Sequence, residues 1–205
     1  MKELILASAS PRRKEILDSL GVLFYIKPSN FDESLITEKD PVKKCILTAH
    51  CKAESLFKTL PRTADNNLNK LILAADTLVF AIDTEIPNKK IIFGKPKTEK
   101  EAEMMLKSHS GSAHFVVSAI CLLDCKTGQV NEKHNISKVF FKKLSDKEIS
   151  AYIKTEEWKD AAGAYKIQGK ASFFIEKIEG SYTGIVGLPI KELYEILNEK
   201  GFSIL

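Results

Sequence analysis

The chain has 205 residues, and 44% of them are hydrophobic, which is enough for a sizeable core in one domain or two tightly joined lobes. No apolar stretch approaches the length of a membrane span and the N-terminus lacks a signal-peptide pattern, so we expect a cytoplasmic protein without a membrane partner. The formal net charge of +4 is a mild excess that suits a small polyanion as well as nucleic acid.

The cysteine pattern argues against a metal centre built on thiols. The four cysteines form no C-x-x-C pair, and no histidine stands at ligand spacing beside them; they are Cys45, Cys51, Cys121 and Cys125. This usage predicts that zinc is absent and favours a reducing, cytoplasmic compartment.

The first element in chain order is a short apolar strand at 4–7 that runs directly into a helix. Ser10 suits the N-cap and Pro11 the first helical position. Arg12 and Arg13 then lie at the positive end of the helix dipole, where cations are unfavourable without an anion between them. A guanidinium group matches the oxygens of a phosphate, so this segment predicts a phosphate site, with a solvated helix start as the alternative.

Helix and strand signals alternate along the rest of the chain. Further strands are predicted at 24–27, 71–80, 91–93, 114–123, 130–141 and 171–178. Helices are predicted at 41–60, from a capping box at 98–101 to about 109–111, from a second capping box at 145–148, and from 189 to Gly201. The polar segment 61–70 is expected to be a mobile surface loop. A hairpin over 114–141 requires antiparallel pairing, so the predicted fold is α/β with a mixed sheet flanked by helices.

Asp76 is the most informative single residue. It interrupts the apolar run 71–80, and a carboxylate in a buried strand is costly unless it is paired, coordinated or at the strand's open end. We interpret Asp76 as functional, because perturbed carboxylates concentrate at sites. The alternative is a structural Asp that accepts hydrogen bonds from nearby backbone N–H groups.

Other charged residues gain meaning only as a set. Glu33 in a loop, Lys52 on a helix and Lys95 in the Gly94-Lys95-Pro96 turn are each explained by surface exposure or turn geometry. Glycine-rich turns at 161–169, 178–182 and 187–189 have the same ordinary explanation one at a time. Together with the arginines and Asp76 they form what a triphosphate with a divalent cation requires.

The chain resembles the Maf, or septum-formation, family of nucleoside triphosphate pyrophosphatases nearly end to end. The matching segments are 8–13 (SASPRR), 32–33 (DE), 52–53 (KA), 75–79 (ADTLV), 94–96 (GKP), 110–114 (SGSAH), 162–169 (AGAYKIQG) and 180–189, which begins GSY and ends GLP. The resemblance implies a mixed α/β fold similar to the inosine triphosphate pyrophosphatases (the Maf/Ham1 fold). It also implies a single domain over 1–205, with the segment 8–13 and Asp76 opening into one central cleft, and usually a homodimer.

The resemblance further implies hydrolysis between the α- and β-phosphates with magnesium or manganese, and no nucleic-acid partner. Asp76 matches the catalytic position, and Glu33 with Asp76 the metal positions. The phosphate-binding positions fall on Ser8, Arg13, Lys52 and Lys95. Arg12, Thr77 and Gln168 match the branch that acts on dTTP and UTP, whereas the branch acting on 7-methyl-GTP has an aromatic residue, Gln and Glu there.

Some positions depart from the family pattern. Ala161 replaces a usual lysine, His109 a usual leucine and Gly184 a frequent asparagine, and the loop at 61–70 is long. These differences bear on substrate affinity and range more than on reaction type. Two other functions stay open: a regulator of cell division that binds nucleotide or nucleic acid without catalysis, and a phosphatase that releases orthophosphate.

Overall fold

The computed structural model describes residues 2–61, 69–83, 85–86 and 89–204. The strands are β1 (Glu3–Leu6), β2 (Phe24–Ile26), β3 (Lys70–Ile82), β4 (Lys90–Phe93), β5 (Ala113–Asp124), β6 (Val130–Phe141) and β7 (Ile175–Glu179). The α-helices are α1 (Pro11–Ser19), α2 (Pro41–Lys58), α3 (Glu99–His109), α4 (Asp146–Ile153), α5 (Tyr182–Val186) and α6 (Ile190–Glu199). Residues 62–68 of the predicted loop lie outside the described residues, and Lys70 begins β3.

The sheet is mixed, as predicted. Its strands pair in the order β2-β1-β3-β5-β6-β7, and β4 pairs with β3 off this path. β1 runs parallel to β2 and β3, with Leu4 opposite Leu71, whereas β4 is antiparallel to β3 and β7 antiparallel to β6. The nearly continuous apolar run of β3 is typical of a strand that is covered on both faces.

The two predicted capping boxes differ in the structure. Ser145 and Glu148 form the complete box at the start of α4. At the start of α3, the Thr98 side chain accepts the Glu101 N–H, but the Glu101 carboxylate accepts the N–H of Lys97 instead of closing the box. The cap of α4 therefore satisfies both N–H groups expected of a capping box. At the start of α3, only the N–H of Glu101 is bound as expected, and the second bond satisfies the N–H of Lys97.

The strand prediction at 171–178 is wrong in its first half. Residues Lys170–Phe174 form a 3-10 turn, and only then does β7 begin. The carboxylate of Glu157 accepts the N–H of the first turn residue at 2.8 Å, and Ser172 donates its N–H to the Gly169 carbonyl at 3.0 Å. These bonds bend a segment that reads locally as a strand.

The chain divides into two compact units, and β3, β5 and β6 contribute residues to both. The first unit comprises Met1–Asp76, Ser118–Asn135 and Gly187–Leu205, and the second Thr77–Val117 and Ile136–Val186. The core of the first unit joins strands β1, β3 and β5 to α1 and α6, through Leu4, Leu6, Leu17, Leu71, Leu73, Ile120, Leu193 and Ile196. The core of the second joins strand residues to α3 and α4, through Val79, Val116, Val139, Phe141, Leu106, Ile149 and Tyr152. The single domain with a central cleft stays a prediction.

Among the described helices, none combines the length and the apolar character that crossing a membrane requires.

Candidate active site

The junction of β1 and α1 holds one arginine in place. The guanidinium of Arg13 donates from Nη1 to the Ser8 hydroxyl at 2.9 Å and from Nε to the Gly187 carbonyl at 3.0 Å. Ser10 occupies the predicted N-cap position, but its side chain forms no capping bond, and its backbone N–H donates to the same Ser8 hydroxyl at 3.2 Å. Ser8 therefore fixes both the arginine and the start of the helix.

The surroundings of Arg13 are buried and charged. Burial lowers the pKa of Arg13, and the nearby Asp76 carboxylate opposes that shift. Arginine begins from so high a pKa that the group stays charged at neutral pH. Burial raises the pKa of the Cys45 thiol beside it, and Asp76 adds to the effect, so Cys45 is a neutral neighbour of this cation.

A lysine joins two of the predicted acidic residues. The ammonium of Lys52, on α2, lies 2.8 Å from Oδ1 of Asp76, on β3, and 2.7 Å from Oε1 of Glu33. The Asp76 and Lys52 side chains are 9% and 13% exposed, whereas that of Glu33 is 60% exposed. Two carboxylates thus lie around one cation, the ammonium of Lys52. Oxygen donors of this type are the ligands that Mg²⁺ and Mn²⁺ prefer, so the residues fit the predicted metal.

Three further predicted residues belong to the second unit. Thr77 follows Asp76 directly in β3 and is half-buried, whereas Lys95 and Gln168 are exposed. The N–H of Gly163 donates to the Gly94 carbonyl at 3.1 Å. This bond ties the turn that contains Lys95 to the glycine-rich segment that leads to Gln168.

The glycine-rich segment adopts a strained turn. Gly163 and Ala164 both have left-handed backbone conformations, with φ of 71° and 66°. A Cβ atom on Gly163 would lie 3.0 Å from a methyl group of Val79, so glycine is required there both for its φ and for space. A left-handed alanine is costly and persists only where surrounding contacts hold it.

Two buried histidines, whose role the sequence did not reveal, support this turn. Nε2 of His109 lies 3.0 Å from the Gly163 carbonyl, and Nε2 of His114 lies 2.8 Å from the Tyr165 hydroxyl. Burial lowers the pKa of His109 to about 4, against a smaller opposing effect of the Gly163 carbonyl, and burial also lowers the pKa of His114 well below its usual value. A neutral His109 therefore donates to that carbonyl. Its only sequence signal was the departure from the leucine usual at that position.

The first unit gathers most of the predicted site residues. Ser8, Arg13, Glu33, Lys52 and Asp76 are linked there by the hydrogen bonds, ion pairs and charge effects described above, with Arg12 next to Arg13 and partly exposed. Thr77, Lys95 and Gln168 belong to the second unit. Ala161, where the resemblance implied a lysine, is 2% exposed and belongs to the buried core.

The chain thus combines a mixed sheet flanked by helices with a buried aspartate that is paired to a lysine near a buried arginine. The family model described as Maf-like protein matches residues 3–200, so the chain belongs to the Maf-like protein family.

Curated relatives extend the match over the whole chain. A protein of Treponema denticola named dTTP/UTP pyrophosphatase is 83% identical over 205 residues, which cover 100% of both chains. Proteins with the same name from Alkaliphilus metalliredigens and Caldicellulosiruptor saccharolyticus are 44% and 41% identical. These alignments cover 97% and 100% of this chain, and 96% and 98% of the relatives.

Proposed function

We propose that this protein is a nucleoside triphosphate pyrophosphatase that hydrolyses dTTP and UTP to the nucleoside monophosphate and pyrophosphate. The observation that carries the proposal is the buried Asp76 carboxylate held 2.8 Å from the Lys52 ammonium. An acid that can take a proton from water thus lies beside a cation that can hold phosphate. The names of the relatives supply the substrates, dTTP and UTP.

The cations of the site bind the triphosphate. Arg13 keeps its orientation through Ser8 and Gly187, so its guanidinium is organised before substrate arrives. Lys52 and the exposed Lys95 add positive charge that offsets the charge of the phosphate oxygens. The Ser8 hydroxyl contributes by holding Arg13 and by offering a hydrogen bond to a phosphate.

The chemical step is attack by water on the α-phosphorus. Asp76 accepts a proton from the water while the oxygen of the water forms a bond to the α-phosphorus. At the same time, the bond between the α-phosphorus and the oxygen that bridges to the β-phosphate breaks. Pyrophosphate leaves with that oxygen. Lys52 holds the Asp76 carboxylate in position before the water is bound.

Glu33 and Asp76 are the residues that would hold a magnesium or manganese ion. Such an ion, when bound, neutralises phosphate charge and favours the departure of pyrophosphate. Lys52 forms ion pairs with both carboxylates, so a metal ion bound here would share these two groups with the Lys52 ammonium.

Arg12, Thr77 and Gln168 select the base in this proposal. The side-chain amide of Gln168 offers both a donor and an acceptor, which the edge of a pyrimidine can satisfy together.

The protein acts as a cytoplasmic homodimer without a nucleic-acid partner, and its fold is one domain with a cleft at the catalytic residues.

Product analysis tests the activity directly. The purified chain is incubated with dTTP and magnesium, and dTMP, pyrophosphate and orthophosphate are separated and quantified. Equimolar dTMP and pyrophosphate support the proposal. Orthophosphate as the first product would instead indicate a phosphatase, and tight nucleotide binding without turnover would indicate a non-catalytic regulator.

A further inference from the structure

A second cluster of ligating side chains lies in the first unit, where α2 meets the β5–β6 hairpin. One ligand atom from each of His50, Cys121 and Glu132 lies within 4.8 Å of the others. Nδ1 of His50 is 2.6 Å from Oε1 of Glu132, and Nε2 is 3.3 Å from Oε1 of Glu54. Three separate elements thus bring an imidazole, a thiol and carboxylates to one place.

Hairpin geometry explains why the thiol and one carboxylate meet. The N–H of Asp124 donates to the Gln129 carbonyl at 2.9 Å, where β5 turns into β6. Moving three residues away from the turn along each strand leads from Asp124 to Cys121 and from Gln129 to Glu132. Cys121 therefore lies opposite Glu132. Opposed residues of antiparallel strands project from the same face, and His50 approaches that face from α2.

This cluster differs from the candidate active site, although both use α2. Lys52 pairs with Glu33 and Asp76, whereas His50 contacts Glu54 and Glu132. Residues two apart on a helix do not share a face, so α2 presents separate chemistry in two directions. A ligand of the second cluster therefore requires none of the proposed catalytic residues.

The spacing of the cysteines alone predicted that zinc is absent, but the structure brings a thiol from one strand to a histidine and a glutamate from two other elements. We propose that His50, Cys121 and Glu132 bind one zinc ion in each chain. Nitrogen, sulfur and carboxylate oxygen are the donors that zinc takes in proteins, and the thiolate favours zinc over magnesium or calcium. Glu54 faces the other ring nitrogen of His50, the position where a metal-ligating histidine usually has a carboxylate partner.

The main competing explanation is an ion pair alone, in which His50 bridges two surface carboxylates. That explanation assigns nothing to Cys121, whose side chain is fully buried beside them. Burial raises the pKa of the Cys121 thiol to about 12, and the Glu132 carboxylate adds to the shift. A thiolate at neutral pH would therefore report directly on a bound metal, because a coordinated thiol loses its proton.

The bound ion would connect α2 to the β5–β6 hairpin. Lys52 is on this helix, so the ion would hold the element that positions a residue of the proposed active site. The three ligands come together only in the folded chain, so zinc would bind the folded state in preference to the unfolded state. Zinc would therefore raise the midpoint temperature of thermal unfolding.

Cobalt substitution tests the zinc proposal. Untagged, metal-free protein is titrated with Co²⁺, and the thiolate-to-cobalt charge-transfer absorption is followed; Zn²⁺ is then added to displace the cobalt. We expect one equivalent of Co²⁺ to produce the band and Zn²⁺ to abolish it. The same band should form in Asp76→Asn, because Asp76 is not a ligand of this site. The zinc proposal is therefore tested independently of the pyrophosphatase proposal.

Variants distinguish the ligands. Cys121→Ser should lose the band, whereas Cys125→Ser, at another buried cysteine of the first unit, should keep it. Glu132→Gln and Glu54→Gln change more exposed side chains with little risk to folding, and each should weaken Co²⁺ binding about 10- to 100-fold. Zn²⁺ should raise the thermal midpoint of the wild type and of Cys125→Ser much more than that of Glu132→Gln. The absence of a thiolate band in the wild type, or its persistence in Cys121→Ser, would overturn the proposal.

Discussion

Nζ of Lys52 lies 2.8 Å from Oδ1 of Asp76, and both side chains are largely shielded from water. The pair explains how an apolar strand tolerates a carboxylate, because the ammonium compensates much of the cost of removing that charge from water. The same contact places a proton acceptor next to a phosphate-binding cation. The first two predictions separate these structural and chemical roles.

Asp76→Asn should lower turnover of dTTP on the order of a hundredfold or more, the loss typical of removing a general base. Nucleotide binding through Arg13, Lys52 and Lys95 should largely persist when it is measured without divalent metal, because all three cations remain and Asp76 then has no ion to hold. Steady-state pyrophosphate release and equilibrium nucleotide binding measure the two effects. Asp124→Asn, at a buried aspartate whose carboxylate accepts turn N–H groups at the end of β5, is the matched control. Near-normal turnover in Asp76→Asn would move the assignment to Glu33.

Lys52→Met should lower the free energy of unfolding by about 3 kcal/mol, because it removes the ammonium that pairs with the shielded Asp76 carboxylate. Adding Asp76→Asn to the same chain should recover part of that loss. Urea unfolding of the wild type, both single variants and the double variant gives the coupling free energy. Strictly additive losses would mean that the ion pair contributes nothing to the fold.

Gln168→Glu should reduce turnover of dTTP and UTP more than turnover of other triphosphates, since the change removes the amide donor and keeps the shape. The measurement is kcat/KM over a panel of nucleoside triphosphates. Gln129→Glu makes the same substitution at the exposed end of the β5–β6 hairpin and should leave the panel unchanged. An equal loss on every nucleotide would show that Gln168 does not contact the base.

The stability of the protein should fall as the pH drops from 6.5 towards 4, in part because of His109. Burial lowers its pKa from 6.5 to about 4, so the unfolded chain binds a proton in this interval while the folded chain resists it. The stabilisation is complete above 6.5, and its loss amounts to about 3 kcal/mol by pH 4. His109→Leu should flatten the slope of unfolding free energy against pH, whereas His134→Leu at an exposed position should not. An unchanged slope in His109→Leu would contradict the assignment.

Much of the fold was predictable because its signals are local. Strand β1 and helix α1 follow from a short apolar run, Pro11 and the return of apolar residues every three or four positions. The mixed sheet followed from one hairpin. The strand predicted at 171–178 failed in its first half because the Glu157 carboxylate, from a different segment, accepts the N–H of Lys170 and bends the backbone there into a 3-10 turn.

The sequence by itself determined the order of the strands and of the helices other than α5, which it did not predict, and it indicated which charged residues are functional candidates. Spacing and residue type are enough for both. Only the tertiary structure decided how those residues combine. It joined Lys52 to Asp76 and Glu33, placed buried His109 against the Gly163 carbonyl, and brought His50 to Cys121. These contacts span residues far apart in the chain, and packing between elements, not local backbone preference, sets such distances.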